Sequence, residues 1–257
     1  MMSQIKHQLD LTSTFIIPNW PAPANVRAIQ TTRSGGVSQA PYHSLNLGAH
    51  VNDDPLAVAH NRQLLSPYLP AEPVWINQVH GIEAIDAATA GCAIQADAAY
   101  AIKANTVCVT MTADCLPVLL CDEAGTVVAA VHAGWKGLLD GVIESAINSM
   151  QLAMPNLAIQ SLMAWLGPAI GPQAFEVGAE VREAFIMKDA NAALAFESIG
   201  SEKWLGNIYQ LARQRLNKIG VSQIYGGDLC TYTDAVQFFS YRRDIVTGRM
   251  ASIIWLT

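Results

Sequence analysis

Residues 106–150, TVCVTMTADCLPVLLCDEAGTVVAAVHAGWKGLLDGVIESAINSM, hold three short apolar runs followed by a change of period. The runs at 106–112, 117–121 and 126–132 are β-branched and apolar throughout, which predicts strands covered on both faces. After His132, Leu138, Val142, Ala146, Ile147 and Met150 recur at three- and four-residue spacings, the stripe of an amphipathic helix. The gaps between the runs are too short for crossover helices, so some neighbouring strands must be antiparallel. Strands of both kinds interleaved with helices define a mixed α/β class and exclude a purely parallel sheet.

The same reading extends in both directions. PVWINQV at 73–79 reads as another buried strand, and MASIIWL at 250–256 as a central one. Asp54 followed by Pro55 forms an N-cap and first helical position for a short helix ending near Pro67. A second amphipathic helix is predicted from about Trp204 to Ile219. Residues 145–175 carry no charged side chain, yet Asn148, Gln151, Pro155, Asn156, Gln160, Pro168 and Pro172 interrupt them. They therefore read as helix, turn, buried strand and loop, not as a membrane span. No repeat, linker or charge block divides the chain, so residues 1–257 are read as a single domain.

Composition narrows the function. With 51% hydrophobic and 14% charged residues the chain cannot be intrinsically disordered. A net charge of -6 argues against a nucleic-acid or anionic-membrane partner, each of which needs a basic footprint. Small-molecule chemistry is favoured. The opening residues MMSQIKHQLD have neither the apolar core nor the cleavage signal of a secretory peptide, so a cytoplasmic location is expected. Cys92, Cys108, Cys115, Cys121 and Cys230 form an odd set without a C-x-x-C pair, which fits reduced thiols and one working sulfur better than disulfides.

His80 in NQVHG and His132 in AVHAGW fall at the ends of predicted buried strands, and Cys115 lies in the turn TADCLP beside Asp114. Two imidazoles and a thiolate suit a borderline-soft ion such as zinc, with a fourth position left for water or substrate. Separations of 35 and 17 residues match no local zinc pattern, and a Cys115 nucleophile activated by His132 is equally compatible with these residues. So are a core thiol and a histidine that merely satisfies a backbone group. In TTRSGGVSQAPYHSLNLG, Arg33 is a candidate for anion pairing and Asn46 for a sugar hydroxyl or base edge. Lys136 at the start of a helix could share an anion with the helix dipole. Arg242, Arg243 and Arg249, three of the nine arginines, could clamp an anion or make a subunit interface, and the structural reading is favoured.

TTRSGGVS, SLNLG, NQVHG, MTADCLPVLL, VHAGWKGL, GPAIGPQAFEVG, CTYTD and FFSYRRD through TGRMASIIW resemble, in order and from about residue 26 to 257, the laccase-domain family of YfiH-type proteins. That resemblance implies an α/β sandwich of mixed sheets covered by helices, and zinc held by His80, Cys115 and His132. It also implies phosphorolysis of adenosine, inosine, guanosine and methylthioadenosine, with hydrolytic deamination of adenosine. Arg33 is then the first candidate for phosphate, Asn46 and Gln78 for ribose or base, and Asp114 for orienting a ligand or shuttling a proton. With six histidines and no H-x-H pair, the chain is too poor in imidazole for a multicopper centre. It also lacks the H-x-E and P-C-x-x-C pattern of the familiar nucleobase deaminases. A Cys-His thiol hydrolase acting on a small amide or cell-wall precursor, and a non-enzymatic metabolite-binding protein, are the alternatives. Nothing in the residues sets an oligomeric state.

Overall fold

The strands that read as uniformly apolar serve two cores at once. In the computed structural model, which describes residues 14–91 and 94–257, the strands in chain order are β1 (Phe15–Ile16), β2 (Val26–Thr31), β3 (Ala84–Asp86), β4 (Ala98–Ala101), β5 (Cys108–Thr112), β6 (Leu116–Asp122), β7 (Val128–Ala133), β8 (Leu162–Leu166), β9 (Glu176–Gly178), β10 (Phe196–Gly200), β11 (Lys203–Gly206), β12 (Gln223–Gly226) and β13 (Met250–Leu256). The helices are α1 (Pro55–Leu65), α2 (Trp135–Asp140), α3 (Val142–Ala153), α4 (Ala179–Lys188), α5 (Ile208–Lys218) and α6 (Tyr241–Asp244). The segment MMSQIKHQLD and Cys92, used above for location and redox state, lie outside the described residues.

A six-stranded sheet in the order β12-β8-β6-β7-β4-β3 faces a four-stranded sheet in the order β1-β2-β13-β5, and β10-β11-β9 form a small third sheet. The larger sheet is mixed, parallel at β12-β8 and β3-β4 and antiparallel elsewhere, whereas the four-stranded sheet is wholly antiparallel. Side chains alternate with the strand period. Leu119, Cys121, Val128 and Ala130 meet Val26, Ile254 and Leu256 between the sheets. Leu116, Val118, Leu120, Ala129 and Val131 point the other way, onto Ile143, Ile147 and Met150 of α3 and Leu211, Ala212 and Leu216 of α5. Ile29, Val109, Met111, Ile253 and Trp255 cover the outer face of the smaller sheet together with Leu45, Leu47 and Leu65. The result is a mixed-sheet α/β sandwich clad by helices and by the loop before α1. No helix among the described residues is long and apolar enough to cross a membrane.

Three expectations change. Residues 73–79 form only isolated bridges, Val74 to Cys108 and Asn77 to Gln95, because the side-chain amide of Gln78 takes both backbone groups of Met111 where a ladder would run. The helix after His132 begins at Trp135 and is broken at Gly141, whose φ of 107° only glycine adopts without strain. The helix expected from Trp204 starts at Ile208, since Trp204 pairs with Ser198 and Val177 in the small sheet and Asn207 caps the helix by accepting from the Gln210 N–H. Asp54 and Pro55 start α1 as their types predict, with the Asp54 carboxylate accepting from Leu56 N–H.

The long turn before α1 has few apolar residues to hold it and relies on Asn61. This fully buried side chain accepts from Val37 N–H and donates to Ser38 Oγ and to the Ser44 and Asn46 carbonyls. Asn61→Ala leaves those groups unpaired in a dry setting and should cost about 2–4 kcal/mol of stability, measured by denaturant unfolding.

Candidate metal centre

The antiparallel register of β6 and β7 places Leu116 opposite Ala133 and Pro117 opposite His132, so Cys115, one residue before β6, arrives beside the end of β7. His80 comes from a loop, with a φ of 59°, and not from the end of a strand. One donor atom from each of His80, Cys115 and His132 lies within 4.8 Å of the others, and His80 Nε2 is 3.6 Å from Cys115 Sγ. The two imidazole rings meet edge to face with centroids 4.7 Å apart. His132 is buried and His80 exposed, so the cluster is rooted in the sandwich and opens to solvent on one side.

Asp97, which the sequence reading passed over, holds the cluster together. Its fully buried carboxylate accepts the N–H groups of Val79, His80 and Gly81 at 3.2, 2.9 and 2.6 Å, and its Oδ1 lies 2.8 Å from His132 Nδ1. Burial works against its ionisation, but His132 and the backbone donors outweigh that and keep its pKa below the usual value. With Nδ1 committed, His132 has Nε2 left for the cluster. Burial likewise opposes a charged Cys115, yet the charge and hydrogen bond of His132, with His80, lower the thiol pKa. The imidazole of His132 is raised in turn by Cys115 and Asp97 against its own burial. A thiolate and two imidazoles, one oriented by a carboxylate, are a donor set fitted to a borderline-soft divalent ion.

Glycines leave room for this packing. A Cβ on Gly134 would stand 2.8 Å from His80 Cδ2 and 3.0 Å from Cys115 Sγ, and one on Gly137 would stand 2.9 Å from the Gly81 carbonyl oxygen. The two glycines of HAGWKG thus let α2 and the end of β7 approach the His80 loop.

A cavity of about 390 Å³ opens over the cluster, bounded by His80, His132, Gln78, His50, Tyr241 and Arg249. A smaller recess of about 130 Å³ on the far side of Tyr241 is largely apolar, with Trp135, Ile170 and Phe175 in its wall. The residues expected to bind substrate are distributed differently. Arg33 donates to the His43 and Ala235 carbonyls and stacks on Phe239, so its guanidinium is spent on tying two loops together. Asn46 is fully buried, bonded to Asp53, Gly48 and the Arg249 N–H, and cannot touch a ligand. Gln78 borders the cavity, but its amide is held at both ends by Met111. Asp114 accepts from Thr231 Oγ1 and Arg242 N–H, anchoring the Cys115 turn, with no contact to the donor atoms. Lys136 pairs with Asp140 along its own helix. Arg242 and Arg243 bond carbonyls of neighbouring loops, Glu176 for the first and Thr231, Tyr232 and Phe238 for the second. A signal for Asp97 did exist, since a lone carboxylate in the otherwise apolar opening of β4, ADAAYA, must be paired if buried.

Comparison with known proteins gives a consistent picture. Residues 27–257 match the family described as multi-copper polyphenol oxidoreductase laccase. The chain is 56% identical to the purine nucleoside phosphorylase YfiH of Shigella flexneri and 55% identical to that of Escherichia coli (strain K12), each time over 95% of this chain and 99% of the relative. The crystal structure of Neisseria meningitidis protein NMB0706 superimposes with a TM-score of 0.90 at 50% identity, covering 95% of this chain and 99% of that one.

Removing the shared carboxylate charge by Asp97→Asn should lower metal affinity about 10–100-fold, read by chelator competition. Gly134→Ala, which keeps every donor but crowds His80 and Cys115, should lower it about tenfold or more in the same titration while the far-ultraviolet dichroism stays native.

Proposed function

Because the chain belongs to the family described as multi-copper polyphenol oxidoreductase laccase and is similar over nearly its whole length to purine nucleoside phosphorylases named YfiH, we propose that it is a zinc-dependent purine nucleoside phosphorylase. On this reading it acts on adenosine, inosine, guanosine and methylthioadenosine, and also deaminates adenosine hydrolytically. The observation that carries the proposal is the His80, Cys115 and His132 cluster, whose two imidazoles line a cavity large enough for a small-molecule substrate. The names of the relatives supply the substrate class.

In phosphorolysis a phosphate oxygen forms a bond to the anomeric carbon while the bond from that carbon to the purine nitrogen breaks. The electron pair leaves with the purine, which takes up a proton, and the products are ribose 1-phosphate and free base. In deamination water adds its oxygen to the amino-bearing carbon of adenine and ammonia departs. A zinc ion held by His80, Cys115 and His132 would supply a Lewis acid at the cavity floor. Asp97 fixes the tautomer of His132 and the course of the His80 loop, Gln78 stiffens the wall through Met111, and Asp114 holds the turn that presents Cys115. Three side-chain donors make a site for one ion, and no second such group occurs among the described residues. A cytoplasmic setting fits the four described cysteines, all free thiols.

One observation favours a second reading: Cys115, His132 and Asp97 stand in the order of a thiol hydrolase, nucleophile, base and orienting carboxylate. Incubation with inosine separates the readings. Phosphate-dependent release of hypoxanthine, abolished by a chelator and restored by zinc, is expected, and Cys115→Ala should lower it about a thousandfold without unfolding the chain. Silence on all purine nucleosides would favour the thiol hydrolase, and nucleoside affinity without product a binding protein.

A further inference from the structure

Arg33 and Arg243 spend their guanidinium groups on carbonyls or carboxylates of the protein. Arg249 differs. Its Nη1 donates to the Thr247 and Gly248 carbonyls, while Nε and Nη2 have no partner among the described residues. The guanidinium reaches the cavity over the donor cluster, close enough to Cys115 and Asp114 for their charges to act on it. His50 borders the same cavity and feels the charges of Arg249 and His132. The buried Thr112 hydroxyl, also in that wall, lacks a hydrogen-bond partner. No carboxylate borders the cavity, although the whole chain carries a net charge of -6. A partly buried fork with two free donors on a cavity wall that holds no carboxylate is an environment that calls for an anion.

The surrounding structure is built to present this arginine. Asn46 Oδ1 accepts the Arg249 N–H, and Leu47 N–H donates to the Arg249 carbonyl. Gly48 clears the stem, since a Cβ there would lie 2.8 Å from Arg249 Cγ. The SLNLG segment, unassigned by the function so far, therefore acts as the seat of Arg249.

We infer that Arg249, assisted by His50, binds the phosphate co-substrate, an assignment that rests on the phosphorylase reading above. The cation then stands on the wall of the cavity and the donor cluster on its floor, with the nucleoside between them.

The test uses the zinc-loaded full chain and its Arg249→Gln, Arg249→Lys and Arg33→Gln variants. With saturating inosine, Arg249→Gln should raise the KM for phosphate at least about tenfold while the KM for inosine moves less than about twofold. Arg249→Lys should fall between, and Arg33→Gln should leave the phosphate KM unchanged. Inorganic phosphate alone should also raise the Tm of the wild type, and this shift should vanish in Arg249→Gln. An unaltered phosphate KM and an unaltered Tm shift in Arg249→Gln overturn the assignment. If Arg249→Gln does not fold, a phosphate KM in Arg249→Lys equal to that of the wild type overturns it equally. Should the wild type release no base with phosphate, the phosphorylase reading fails by itself, and the Tm measurement still decides whether Arg249 holds the anion.

Discussion

The buried carboxylate of Asp97 is the constraint on which the site depends. It receives three successive backbone N–H groups from residues 79–81 and one imidazole nitrogen from β7, so a single anion fixes two donor residues of the cluster that stand 52 residues apart in sequence. A buried carboxylate with four donors is stable only as the charged form, and that charge orders the donors around it. The loop it gathers has no ladder of its own, and the positive φ of His80 is the conformation that turns the ring toward Cys115. Without the carboxylate the three N–H groups of this part-buried loop would lose their acceptor, a cost of about 0.5–1.5 kcal/mol each. Stability and ligand geometry are thus the same interaction.

The fold was largely legible because its signals are local. Apolar runs of five to seven residues, separated by turns too short for a crossover, could only be strands with antiparallel neighbours, and the three- to four-residue stripe after His132 could only be a helix packed upon them. The errors fall where a side chain replaced the backbone signal. PVWINQV has the composition of a strand, but the Gln78 amide binds the edge of β5 in place of the main chain. Trp204 fits a helical stripe and lies instead in a hairpin, with Arg182 stacked over its ring, a tertiary contact no window of sequence reveals.

The three donor residues were legible for a different reason, the rarity of their types at the ends of buried strands, together with the family motifs around them. The second layer was not. Asp97 and His50 lie outside the motifs, and Arg33 in TTRSGGVS and Arg249 in TGRMASIIW look alike in sequence because both stand in motifs that mix Thr and Gly. What distinguishes them is where their hydrogen bonds go, and that depends on loops more than two hundred residues apart: Arg33 reaches Ala235, while the backbone of Arg249 is met by Asn46. Asn46 illustrates the confusion well. A polar side chain in a glycine-rich turn reads as a ligand contact, yet its complete burial makes it a brace for the residue that reaches the cavity.

Register explains why these dispersed residues meet. β13 lies between β2 and β5, and its pairing with β5 sets Met250 opposite Thr112, so Arg249 enters the strand where β5 has just ended. Two residues beyond Ala113 comes Cys115, immediately before β6, and β6 is paired with β7 such that its first residue, Leu116, faces the last, Ala133, one position after His132. These antiparallel pairings bring the start of β13 to the end of β5 and the start of β6 to the end of β7, and both junctions border the cavity. The alternation that buries Ile253 on one face and Ile254 on the other forbids a one-residue slip, because the slip would turn both out of their cores. The hydrophobic pattern of β5, β6, β7 and β13 thereby sets the distance between the cationic arginine and the donor cluster, and the chemistry of the site inherits its dimensions from the packing of residues that never touch it.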